Sequence, residues 1–118
     1  MVPTGAVCYV EVVTNEVEQV CAARERCHGW RFTQVAALGN ALVADLPDGS
    51  RYGVRAPMHG GEKPVTRTYV RVDDVERAAA EAEKAGGMVA VPPMDIPGQG
   101  KIAIYMLGGG EHGLWQLP

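Results

Sequence analysis

The order strand, helix, strand, strand, strand is written twice into these 118 residues, and that repeat constrains the fold most. Gly5 to Val13 is short, β-branched and partly alternating, which reads as a strand. Asn15 offers an N-cap with Glu18 three residues on, and Val17, Val20, Cys21 and Arg24 follow at helical spacing. Gly29 stops that helix. Trp30 to Leu38, Asn40 to Pro47 and Ser50 to Ala56 then read as three strands, divided at Gly39-Asn40 and by the turn signal Pro47-Asp48-Gly49.

The second half repeats the plan. Thr66 to Val72 alternates as a strand, and Asp73 caps a helix with Glu76 three residues later. Val75, Ala78, Ala79, Ala82 and Ala85 form its apolar stripe, and Gly86-Gly87 ends it. Met88 to Val91, Lys101 to Leu107 and His112 to Leu117 read as three more strands. Between the halves, Pro57 to Pro64 has the Pro and Gly content of a linker. Internal pairs support a duplication: Thr14-Asn15-Glu16-Val17-Glu18 aligns with Val72-Asp73-Asp74-Val75-Glu76, and Tyr52-Gly53-Val54 with His112-Gly113-Leu114.

The expected fold is therefore α+β: two tandem βαβββ modules, residues 5–56 and 66–117 joined by 57–65, in one domain spanning 1–118. Each half-sheet has one face under its helix and one face free. Two such halves side by side curl into a cupped, barrel-like mixed sheet with helices outside and a cavity inside.

Composition narrows the function classes. Eleven Lys and Arg against 14 Asp and Glu leave a net charge of −3, the wrong sign for a nucleic-acid footprint. No apolar run reaches the roughly 20 residues of a membrane span, and the first residues do not have the pattern of a secretory signal. Cys8, Cys21 and Cys27 match no disulfide or zinc spacing and read as free thiols of a cytoplasmic protein.

Four second-half motifs carry a family resemblance: Val72-Asp73-Asp74-Val75-Glu76, Ala85-Gly86-Gly87, Val91-Pro92-Pro93-Met94-Asp95-Ile96-Pro97-Gly98 and Gly113-Leu114-Trp115-Gln116. With the doubled plan, the chain resembles the vicinal oxygen chelate superfamily of glyoxalase I, bleomycin-resistance proteins and extradiol dioxygenases, in its glyoxalase-like or hydroxylase-like branch. The resemblance implies His or Glu metal ligands on the first and last strand of each module. Tyr9, Arg67, Gly53 and Gly113 stand at those positions here, a set unable to hold a divalent cation. Neither metal nor cofactor is therefore expected. Glu11, His28, His59, Glu111 and His112 are the candidates for a displaced metal site. Glu111 and His112, adjacent on a strand, face opposite sides and cannot both serve. The resemblance also implies a homodimer.

Strand parity populates the cavity. With Val10 and Val12 under the helix, Tyr9, Glu11 and Val13 face inward; with Thr68, Val70 and Val72 outward, Arg67, Tyr69 and Arg71 do so. The same parity adds Arg51 and Arg55 around Gly53, and Trp115 beside Gly113. Lys101, Ala103 and Tyr105 join them if Ile102 and Ile104 pack on the helix. Pro92 to Gly100 is either a shaped loop over the mouth or a plain connection, and the two glycines either relieve a bend or leave room for a ligand. Arg67 beside Glu11 is either a paired charge or part of a binding surface.

Such a mixture of aromatics and cations suits a flat or anionic organic ligand. Two functions follow. One is a metal-free protein that binds an aromatic or anionic metabolite or antibiotic. The alternative is a metal-independent isomerase or lyase with Glu11 as general base and Arg67 steadying a developing anion. A glyoxalase- or dioxygenase-type metalloenzyme is disfavoured by the lost ligands.

Overall fold

A computed structural model describes all 118 residues. Eight strands form one mixed sheet in the order β2-β3-β4-β1-β5-β8-β7-β6. The first module supplies β1 (Val7–Val13), β2 (Phe32–Val35), β3 (Ala41–Asp45) and β4 (Arg51–Arg55), with α1 (Val17–His28) after β1. The second supplies β5 (Val65–Arg71), β6 (Met88–Ile96), β7 (Gly100–Leu107) and β8 (Gly110–Gln116), with α2 (Val75–Lys84) after β5. Each module pairs its first and last strands in parallel, β1 with β4 and β5 with β8. The modules meet where β1 and β5 run antiparallel, setting Tyr9 opposite Tyr69 and Glu11 opposite Arg67.

The sheet is curled: Leu38, beyond β2 at one edge, and Val91, on β6 at the other, line one cavity. Its inner face carries the largest core cluster, with Tyr9, Leu38, Val43, Tyr69, Ile102, Ile104 and Trp115. On the outer face, Cys21 of α1 meets Tyr52 and Val54, with Val10 and Val12 beside them. Val75 and Ala79 of α2 meet Ala103 and Leu114.

Both helices start one residue later than the sequence reading places them. Glu16, not Asn15, is the N-cap of α1, and it makes no side-chain cap. Asp74, not Asp73, caps α2 by accepting from the Arg77 N–H, while Asp73 accepts from the Thr4 hydroxyl. The shift is the same in both halves, so their alignment stands.

Two larger corrections concern the second half. The strand expected at Met88 to Val91 continues through Pro92-Pro93 to Ile96, with register irregularities against β7. An edge strand tolerates prolines, whose missing N–H groups leave no ladder bond unmade. That stretch is thus a wall of the cavity rather than a loop across its mouth. In β7 the parity is opposite to the expected one: Ile102 and Ile104 face the cavity, and Ala103 and Tyr105 lie under α2. The register decides it, since Ile102 pairs with Trp115 and Ile104 with Gly113, and directly opposed residues share a face. Both faces of β7 are covered, so its alternation carried no signal of which one faces the cavity. In the first half, the run Trp30 to Leu38 shortens to β2 and ends in a 3-10 turn at Ala36–Leu38.

Candidate functional site

The cavity encloses about 340 Å³ between the inner sheet face, the 3-10 turn and β6. Ile102, Ile104, Val91, Met94, Ile96 and Leu38 form its apolar wall. Tyr9, Tyr69 and Trp115 form an aromatic corner, with ring centroids 4.8 Å apart for Tyr9–Trp115 and 5.2 Å for Tyr69–Trp115. The edge-to-face approach of Tyr69 to Trp115, at 79°, suits their ring quadrupoles.

The inner-face glycines make this corner possible. A Cβ at Gly53 would collide with the Tyr9 hydroxyl, and one at Gly113 with the Tyr69 ring and the Thr68 carbonyl. The space at these two positions, where the resemblance implies metal ligands, is filled by tyrosine rings.

At the cavity's polar end, charges alternate in a chain of five side chains. Glu11 Oε1 accepts from Arg67 Nη1 and, at 2.9 Å, from the Tyr69 hydroxyl. Its Oε2 accepts from Arg55 Nε at 2.9 Å. Arg55 forks onto Glu62 at 2.8 and 2.7 Å, and Arg67 Nη2 donates to Glu111 at 2.8 Å. Arg55 and Arg67 are only 6% and 9% exposed, so these pairs sit where water screens little. Arg67 Nε is buried without an acceptor. Three carboxylates against two guanidiniums leave the chain with a formal charge of −1.

Protonation follows from this packing. The Arg55 fork, chiefly, holds the Glu62 carboxyl down at about 2. Burial first, and then the Glu11 charge, push the Tyr9 and Tyr69 phenols well above their ordinary range, so both stay protonated. Glu11 accepts three hydrogen bonds, two from cations, which leaves it little lone-pair capacity to take a substrate proton.

Of the sequence-selected residues, Tyr9, Glu11, Arg55, Arg67, Tyr69 and Trp115 line this cavity. Gly53 and Gly113 lie buried beneath the tyrosines. Arg51 is separate, on the other side of Tyr9 and Trp115 in a second cavity. Arg71 donates to the Val2 carbonyl at 2.6 Å. Tyr105 and Lys101 are outside: Tyr105 stacks on His112 with centroids 5.0 Å apart, and Lys101 reaches Glu76 of α2 at 3.4 Å. Glu111 faces in while His112 faces out, as their adjacency required.

The displaced metal candidates do not converge. His28 lies against Trp30, and His59 accepts from the Gly61 N–H in the connecting segment. No three His, Cys, Asp or Glu side chains come together in a metal-binding group. The carboxylates near the resemblance's ligand positions are held by guanidiniums, which repel a divalent cation, so the residues present do not fit one. Sequence reasoning missed Glu62, because a lone carboxylate in a Pro/Gly-rich segment carries no periodic signal. It also missed Gln99, whose carbonyl accepts from the Trp115 indole at 2.8 Å.

Comparison with known proteins places this geometry. No family model matches the chain. Proteins of Mycobacterium bovis and Mycobacterium tuberculosis, provisionally named glyoxylase CFP32, are 31% identical over 103 residues, 86% of this chain. The chain spans 40% of their length. Methylmalonyl-CoA epimerase of Mycobacterium tuberculosis superposes with a TM-score of 0.73 at 13% identity, over 100% of this chain and 93% of its own. The Streptomyces coelicolor epimerase in complex with 2-nitronate-propionyl-CoA gives 0.69 at 14%, covering 98% and 99%. The chain has the vicinal oxygen chelate fold. A third match, the hypothetical protein BH1468 of Bacillus halodurans, reaches a TM-score of 0.76 at 8% identity, over 95% of this chain and 94% of its own. At such identities the solved structures establish the shared vicinal oxygen chelate fold, and chemistry has to be argued from this chain's residues.

Proposed function

We propose that this vicinal oxygen chelate protein binds a flat, largely apolar metabolite or antibiotic in the 340 Å³ cavity, without a divalent metal. The observation that carries the reading is the pairing of an apolar and aromatic wall with a polar end whose guanidiniums are already matched by carboxylates. An aromatic body stacks in the Tyr9–Tyr69–Trp115 corner, and Ile102, Ile104 and Val91 cover its other face. The charge balance favours an uncharged ligand here over the anionic one that the bare Arg count suggests.

A metal-independent isomerase or lyase with Glu11 as base is the weaker reading. The carboxylate is held by Arg55, Arg67 and Tyr69, and a base so committed transfers protons poorly. Thermal melting with 1-naphthol as a neutral aromatic probe, and separately with Ni²⁺, Zn²⁺ and Mn²⁺, tests the proposal. Saturable stabilisation by 1-naphthol and none by the metals is expected. One metal bound per chain with a rise in Tm, or no response to aromatic compounds, overturns it.

A further inference from the structure

Arg51 differs from its two neighbours in the sheet. It lies on β4 two residues from Gly53, yet it forms no ion pair, whereas Arg55 and Arg67 each meet two carboxylates. Its guanidinium carbon sits 5.6 Å from the Tyr9 ring centroid and 5.9 Å from that of Trp115. Those rings divide the main cavity from a second one of about 220 Å³, which Arg51 lines together with Val2, Cys8 and Gln99.

No side chain lining the second cavity is acidic; Met1 and Pro118 line it as well. Burial, chiefly, raises the Cys8 thiol above its ordinary value and does the same to the Tyr9 phenol, so both are neutral. The Asp48 carboxylate is taken by the Ser50 N–H and hydroxyl, and Asp45, opposite Arg51 in register, is solvent-exposed without bonding it. A second cation is near: Arg71, also without an ion pair, donates to the Val2 carbonyl at 2.6 Å. Arg51 Nη2 donates to Gln99 Oε1 at 2.9 Å, and no other hydrogen bond engages its guanidinium. Stacking uses the face of that plane and leaves N–H groups at its edge, the geometry that receives a carboxylate through two parallel bonds.

We infer that this second cavity is a binding site for a small carboxylate with an aromatic or apolar body, anchored by Arg51. The head group meets the guanidinium edge while the body lies against Val2 and the Trp115 side of the cavity. The site is separate from the larger cavity, so it stands or falls independently of the ligand proposed there.

Sodium benzoate is the probe, with benzyl alcohol as its uncharged counterpart and inorganic phosphate as a competing anion. The readouts are the arginine Nε–H signals in ¹H–¹⁵N spectra and the affinity of Arg51→Gln and Arg51→Lys. The expected result is a saturable shift of the Arg51 signal with benzoate, none with benzyl alcohol, and at least about tenfold weaker binding to Arg51→Gln. Arg51→Lys keeps the charge but loses the fork, and falls between them. Benzoate shifting only Arg55 or Arg67, Arg51→Gln retaining full affinity, or phosphate binding as tightly as benzoate would each overturn the assignment. The wild-type spectra decide the matter even if neither variant folds.

Discussion

The two halves share a strand order and a register but bury different things at equivalent places. Glu11 lies opposite Gly53 across β1 and β4, and Tyr69 lies opposite Gly113 across β5 and β8. One half thus sets a carboxylate into the seam and the other a phenol that donates to it, at 2.9 Å. The helices differ as well. Helix α2 buries Val75 and Ala79, and its first N–H groups are met by Asp74 and Gln116. Helix α1 buries Cys21 alone, and its N-terminus has no side-chain cap. Duplication keeps a backbone plan; it does not keep the side chains that meet across the joint.

The sharpest way to break this comparison is at its asymmetric pair. Glu11→Leu leaves two buried guanidiniums short of an anion and should cost about 3 kcal/mol or more in urea unfolding. Tyr69→Phe at the corresponding place removes one hydrogen bond and should cost about 1 kcal/mol. Equal losses from the two would show that the halves bear the seam equally.

The glycines come next. Gly113→Ala drives a methyl group into the Tyr69 ring and the Thr68 carbonyl, and should destabilise by about 1–3 kcal/mol. Gly53→Ala meets the end of the Tyr9 side chain first, so Tyr9→Phe should recover part of its loss in a double-mutant cycle, while Tyr69→Phe should not rescue Gly113→Ala.

Acid sharpens the role of Glu62. Its folded-state pKa of about 2 lies below the ordinary value of 4.5, so its contribution is present above that ordinary value and fades as pH falls towards 2. The Tm advantage of wild type over Glu62→Gln should therefore shrink steadily across that window. The smallest expected difference is between the helices: amide exchange should be faster along α1 than along α2, and equal protection would remove that contrast.

Much of this was legible in the chain. The doubled element order, the residues turned inward on β1, β4, β5 and β8, and the opposite orientations of Glu111 and His112 follow from period-two alternation and turn chemistry, which are local. Where both faces of a strand are apolar, as on β7, alternation names two faces without saying which is inside. The partner strand made that choice by pairing Ile104 with Gly113. Helix caps were read one residue early: Asp73 is as competent to cap as Asp74, and Asn15 is a better capping residue than Glu16, which makes no side-chain cap.

The sequence by itself therefore determined the number of strands, their grouping into two modules, and which residue types stand where the resemblance implies metal ligands. The charge balance was decided only by tertiary structure. Arg51, Arg55 and Arg67 are chemically alike, and nothing local tells that Glu62 returns from the connecting segment to Arg55 and Glu111 from β8 to Arg67. The physical reason is range. Alternation and capping act over a few residues, whereas an ion pair is set by separate segments, a connecting loop or a neighbouring strand, that the fold brings within 3 Å of each other.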